Sequence, residues 1–288
     1  MPTAATNTAE GALAEFTRRI ASELVADAPE LPSFPEVAVR VRKALSDDNA
    51  SVDVVVRVIS AEPSLAVRLL QLSNSVALNP SGQRVTSLRS AVSRIGFSMA
   101  RSLTMAFAMS QMRRAEAWHG LEAHFAEVWS FSARLAATSY SLARRCGRAD
   151  ADEAMLAAML HSVGKLFVLT RLGKFPVLVA DVAAWREAEK AWHARASRAL
   201  LVRWDLSKEV LEAACGFEQP SAAGPPTLGD VLCAAHQLMG LQEADELTRA
   251  AVLSGPLFGR LGFNVAAASD LLVTSAADVD ALRAALAD

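Results

Sequence analysis

The chain has 288 residues, a formal net charge of −2, 52% hydrophobic side chains and a mean hydropathy of +0.23. This composition predicts one large domain or two modest ones around a sizeable core, and it excludes an intrinsically disordered or strongly charged protein. Ala, Leu, Val and Arg dominate, there is one Tyr, and period-two alternation is scarce, so the sequence predicts helix almost throughout.

The first residues, MPTAATNTAE, read as a frayed terminus without the basic and apolar regions of a signal peptide. Leu13, Phe16, Ile20 and Leu24 then recur at helical spacing. The Pro-punctuated stretch Leu31–Glu36 leads into a helix carrying Val37, Val41 and Leu45. Ser51 is placed to cap a helix over Val52–Ser60. Pro63 opens the next helix, and Asn74 is placed to end it. Ser87 starts a further helix that Gly96 breaks, followed by a long, mostly apolar helix through Leu103, Met105, Phe107 and Met109. A second lobe begins near Ala115. Its helices are predicted over Leu121–Cys146, Asp152–Thr170, Pro176–Lys190, Trp192–Trp204, Ser207–Cys215 and Thr227–Met239. A last helix spans Ala276–Ala287, with Ser275 and Asp278 as a capping-box-like pair.

The apolar runs Leu103–Met109, Ala154–Leu160 and Ala250–Phe258 fall short of the ~18–20 residues a membrane span needs. Cys146, Cys215 and Cys233 are odd in number and scattered, which points to a reducing cytoplasm and no disulfide framework. From Arg57 to Arg114 eight basic residues face one acid, Glu62, a local charge near +7. Such a stripe suits phosphate or an acidic partner, although arginines solvating helix faces give the same composition. Cys233 and His236 share a helix face, but a C-x-x-H pair alone is half of a zinc site. Trp118, Trp129, Trp185, Trp192 and Trp204 read as core or interface anchors, and His119 and His124 as solvent-side. Arg84, Arg89, Arg94 and Arg101 surround a helix–Gly–helix outline that invites a nucleic-acid reading. The second helix is too apolar for base recognition.

Two blocks together carry a family likeness. The first is LPSFPEVAVRVRKALSDDNASVDVVVRVISAEPSLAVRLLQLSNS, followed by VTSLRSAVSRIGFSMARSL. The second is EVWSFSARLAATSYSLARRCG, EAMLAAMLHSVGKLF and HARASRALLVRWDLSKEVLEAA. In order and spacing they resemble the HDOD family, the non-catalytic relatives of HD-type metal phosphohydrolases, over roughly residues 30–215. The resemblance implies an all-α fold in which an N-terminal helical lobe packs on an HD-like bundle. The corresponding segments are 1–29 (N-terminal segment and helix), 30–114 (first lobe) and 115–288 (bundle with C-terminal extension).

HD phosphohydrolases hold one or two divalent ions with histidines and a His-Asp dyad, the carboxylate supplying charge and bridging the ions. At the matching positions this chain has Phe131, His161–Ser162, His193 and, where tandem histidines are common, Cys215. Two imidazoles survive and the charged ligand is gone, so the expected site is degenerate, with no metal, no cofactor and no catalysis. Asp152 or Glu187 would have to converge on His161 to restore a hydrolase. The resemblance further implies a bacterial, cytoplasmic signal-transduction module that stands alone and binds a protein partner, with room for a small ligand in the vestigial pocket. Arg84, Arg89, Arg94 and Arg101 are its candidate surface. The alternatives are a residual phosphohydrolase and a nucleic-acid-binding regulator acting through Arg57–Arg114.

Overall fold

The computed structural model describes residues 9–25, 51–75, 78–79, 81–112, 119–202, 206–221, 224–241, 243–274 and 279–280. The expected Leu31–Glu36 start, the helix with Val37, Val41 and Leu45, and nearly all of Ala276–Ala287 lie outside them. Among the described residues the fold is all-α, with no strand.

The first lobe is built as its caps dictate. Helix α2 (Val52–Ser60) starts at Ser51, whose hydroxyl accepts from the Val54 N–H. Pro63 opens α3 (Pro63–Ser73), where its missing N–H leaves nothing unsatisfied. Asn74 ends α3 and secures the loop that follows: its amide donates to the Leu70 and Val85 carbonyls and accepts from the Val85 N–H. Helix α4 (Leu88–Met112) bends at Gly96, which adopts φ 80° and ψ 168° inside it. Beyond the bend Met99, Leu103, Met105, Phe107 and Met109 are buried, as their apolarity predicts. Ser102 on this face donates to the Asp152 carbonyl and so joins the lobes.

The bundle begins with α5 (Glu122–Cys146), which Gly147 terminates in the left-handed region. Asp150 caps α6 (Ala151–His161), and α7 (Val163–Leu172) follows after Ser162. The single helix expected over Asp152–Thr170 is therefore broken directly after the histidine. The stretch Ala151–Leu172 is apolar and long enough, by length and composition only, to cross a membrane, more than the short run at Ala154–Leu160 suggests. Its most apolar window is 89% buried inside the bundle, which accounts for that apolarity.

Helix α8 (Pro176–Ala180) stops at Asp181, whose carboxylate caps α9 (Val182–Leu201) by accepting from the Ala183 and Ala184 N–H groups. The expected break between Lys190 and Trp192 does not occur: that position holds Ala191, a good helix former, while Asp181 supplies the real stop. Ser207 caps α10 (Lys208–Gly216). Thr227 and Asp230 form a capping box at the start of α11 (Leu228–Gly240). Three further helices, α12 (Glu246–Leu253), α13 (Pro256–Arg260) and α14 (Val265–Thr274), occupy a region the sequence reading leaves unassigned. The N-terminal helix α1 (Ala9–Val25) packs on the bundle at α7, α8 and α9, through a Phe16–Phe175 edge contact and a Glu23–Arg171 ion pair.

Candidate functional site: a buried histidine pair and a carboxylate

His161 is the last residue of α6, His193 lies mid-way along α9, and Glu218 follows the end of α10. The bundle brings the three together. His193 Nε2 is 3.4 Å and His161 Nε2 3.9 Å from Glu218 Oε1, and one donor atom from each residue lies within 4.8 Å of the other two. The imidazole rings meet edge to face with centroids 5.5 Å apart. Both histidines are buried, at 2% and 6% exposure, whereas the Glu218 side chain is about half exposed. Phe217 packs edge-on against His161, the ring centroids 4.5 Å apart.

The position of His193 rests on Gly164. A Cβ there would stand 2.0 Å from the His193 carbonyl oxygen and 2.4 Å from Ser197 Oγ, so only glycine lets α7 lie this close to α9. The contact is also hydrogen-bonded. The Gly164 N–H donates to Ser197 Oγ at 3.1 Å, and Ser197 donates to the His161 carbonyl at 3.3 Å. One serine on α9 thus holds the turn that carries His161, four residues from the histidine it faces.

The electrostatics follow from burial. Nδ1 of His161 donates to the Ala214 carbonyl at 3.3 Å, the one role a ring nitrogen can play toward a carbonyl, which leaves Nε2 as a bare lone pair. That Nε2 and Nδ1 of His193 are buried without a hydrogen-bond partner among the described residues. Burial pushes the His161 imidazole down to about 3, helped by the charges of Lys165 and His193 and opposed by Glu218 and the Ala214 carbonyl. Glu218 is held well below the usual carboxylate range by its hydrogen bond with His193, against burial, with the charges of His193, His161 and Lys165 adding. A neutral His161 and an ionised Glu218 are the resting forms at neutral pH.

The other positions matched to the family's ligand set turn elsewhere. Ser162 is fully buried, and its hydroxyl pairs with that of Ser132, which also donates to the Val128 carbonyl. The serine ties α6 to α5. Phe131 packs edge-on against His236, 5.6 Å between centroids, beneath the Lys165 ammonium at 5.1 Å from its ring. Lys165 is paired with Glu189 at 3.0 Å. Cys215 is partly buried, its thiol pushed up by burial, and stands outside the cluster. Cys233 is buried on α11 beside Gln237, while His236 faces Phe131 and Phe217, so the C-x-x-H pair gathers no further ligand among the described residues.

Neither Asp152 nor Glu187 belongs to the histidine cluster; Asp152 faces Arg101 and Arg144 instead. The expectation that the site keeps imidazoles and no carboxylate is corrected by Glu218. Its only signal in the sequence was an acid in the loop just past Cys215–Gly216. The expectation for His124 is corrected as well: it packs edge-on against buried Trp185, and its Nδ1 is buried.

The four arginines do not form a uniform free patch. Arg89 pairs with Asp53, Arg94 donates to the Gln83 carbonyl, Arg101 is half-buried near Asp152, and Arg84 is exposed. Two clefts border the bundle, of about 530 Å³ along Glu153, Glu209, Glu212 and Thr227 and about 320 Å³ along Phe131, Lys165, Trp185 and Glu189. Neither is lined by His161 or His193.

Solved structures share this architecture. A Shewanella amazonensis protein provisionally described as a metal-dependent phosphohydrolase superposes with a TM-score of 0.75 at 22% identity, over 96% of this chain and 99% of its own. An HDOD domain protein of unknown function from Geobacter sulfurreducens gives 0.68 at 19% identity, over 95% and 98%. A Marinobacter aquaeolei protein provisionally described as a signal transduction protein gives 0.63 at 19%, over 96% and 66%. At these identities the likeness is one of fold. A search of curated proteins finds no match. The HDOD domain family's sequence model matches residues 31–220, two thirds of the chain, and spans both lobes and all three clustered residues. The chain belongs to the HDOD domain family.

Proposed function

We propose that this protein is a regulatory module that acts by binding a partner in a signalling pathway and does not hydrolyse phosphate esters. The observation that carries this reading is the burial of His161 and His193, with the Phe217 ring against His161 and neither histidine lining either cleft. A phosphohydrolase of the HD type must admit a phosphate ester to metal-bound oxygen, and a two-ion centre needs carboxylates to bridge and neutralise the ions. The residues here fit one ion at most. Glu218 is the single carboxylate in the cluster, Ser162 is turned to Ser132, and the Lys165 cation acts on both His161 and Glu218. If an ion is bound, His161, His193 and Glu218 hold it, and it would supply one Lewis-acid centre. The chain's own residues bury that centre and offer it one negative charge.

The 320 Å³ cleft beside Lys165 is within the size range of small-molecule sites. Occupation there would act on Phe131 and Lys165, and through them on the packing around Glu218. Ion counting by native mass spectrometry in excess Mn²⁺ tests the reading. At most one ion per chain is expected. Two ions per chain, with phosphodiester turnover lost in His161→Ala, would overturn it in favour of a residual hydrolase.

A further inference from the structure

We infer that His161, His193 and Glu218 form a mononuclear site for a divalent transition metal of the zinc type, in which Glu218 supplies the carboxylate from the α10–α11 loop. Relatives with the His-Asp dyad draw a carboxylate from the residue directly after the histidine, and here that residue is Ser162, committed to Ser132. The charge comes instead from a different element, the loop after α10, with Glu218 Oε1 3.9 Å from His161 Nε2.

Three observations carry the assignment. The first is spacing. Ligands bound at ~2.0–2.2 Å around a tetrahedral ion stand about 3.3–3.6 Å from one another. The 3.4 Å between His193 Nε2 and Glu218 Oε1 is already that distance, the 3.9 Å from His161 Nε2 is somewhat longer, and with all three donor atoms within 4.8 Å of one another a modest convergence of the side chains closes the site. The second is orientation. The Ala214 carbonyl fixes the His161 tautomer with Nδ1–H outward, which directs the Nε2 lone pair at Glu218. Metal-binding histidines are held by the same kind of backbone contact. The third is the orphaned nitrogen itself. His161 Nε2 is fully buried, accepts nothing, and faces an anion. A lone pair and a carboxylate converging on one point lack only a cation between them, and a buried acceptor left unsatisfied is unfavourable.

Two imidazoles and one carboxylate suit Zn²⁺, Co²⁺ or Fe²⁺ and not Mg²⁺, which prefers oxygen ligands alone. Glu218, half exposed, is the ligand on the solvent side of two buried imidazoles. Metal binding at this site goes beyond the regulatory reading and does not depend on it.

Metal-stripped full-length protein titrated with Zn²⁺ in a calorimeter should bind one equivalent and gain thermal stability, with Mg²⁺ silent. Glu218→Gln, at a half-exposed position where folding is preserved, should weaken zinc binding at least about a hundredfold, since even outer-shell changes cost ten- to a hundredfold. Titration with Co²⁺ should give ligand-field bands without thiolate charge transfer. Absence of zinc binding in the wild type, equal affinity in Glu218→Gln, or a thiolate band assigning Cys215 or Cys233 would each overturn the assignment. Failure here leaves the non-hydrolytic reading standing, because that reading is decided by turnover.

Discussion

Replacing Gly164 with alanine sets two effects of opposite sign against each other. Helix propensity alone favours alanine over glycine by up to about 1 kcal/mol. The new methyl would lie 2.0 Å from the His193 carbonyl oxygen, 2.4 Å from Ser197 Oγ and 2.6 Å from the Ser197 nitrogen, where ordinary contact is 3.4–4 Å. Two of those three atoms are backbone, so α9 must move away by more than an ångström. Overpacking of this kind costs about 1–3 kcal/mol and occasionally more. Separation of the helices also strains the Gly164–Ser197 and Ser197–His161 hydrogen bonds, each a net ~1 kcal/mol. The sum, about 3–5 kcal/mol less the propensity gain, leaves a net destabilisation of roughly 2–4 kcal/mol. That is a large part of the ~5–15 kcal/mol typical of a folded domain. Urea unfolding followed by circular dichroism measures it. A loss under about 1 kcal/mol would refute the claim that Gly164 sets the spacing of α7 and α9, and with it the position of His193.

Burial, reinforced by Asp150 and opposed by Arg101 and Arg144, raises the Asp152 carboxyl to about 6 from an ordinary 3.8. Its contribution to stability is therefore fully present below 3.8 and lost as pH rises to about 6, so the ionised group opposes folding at neutral pH. Asp152→Asn should raise Tm at neutral pH and have little effect in acid; equal shifts at both would contradict this sign. Asp230 is fully buried and accepts from Ser221, Thr227 and Arg260. Asp230→Ala should cost about 3–5 kcal/mol in chemical denaturation, since it strands the Arg260 guanidinium, and a loss below 1 kcal/mol would show that the network contributes little. Burial works to raise the Asp230 carboxyl, but the hydrogen bonds from Thr227 and Ser221 hold it below 3.8, so its contribution is present above that pH and fades as acid titrates the folded form. With Arg89, Arg94 and Arg101 engaged within the protein, labelled DNA and RNA should show no binding at low salt; an affinity that falls steeply with added salt would restore the nucleic-acid reading.

Much of the fold was legible because its signals are local. Ser51, Pro63, Asn74, Ser207 and Thr227 mark helix ends by their own side chains or ring, and each does so in the structure. The break at Ser162 was not legible, because it depends on Ser197, 35 positions away, gripping the turn from another helix. The site divided along the same line. His161 and His193 stood out as imidazoles on apolar helices, in positions a family pattern marks. Glu218 is one acid among 31 Asp and Glu, in a loop without motif, and only the packing of α10 against α6 and α9 carries it to the histidines. Phe131 and Ser162 stand at positions the family pattern marks, but what each does there, a ring under Lys165 and a hydroxyl pair with Ser132, is a tertiary property.

Hydrolysis of a generic phosphodiester by the protein supplied with zinc or with manganese, beside its His193→Ala variant, tests the central claim most directly. The account predicts no rate above the ion-and-buffer blank in either protein, whether the wild type carries zinc or manganese. A wild-type rate well above that blank, abolished by His193→Ala in a variant that remains folded, would contradict it.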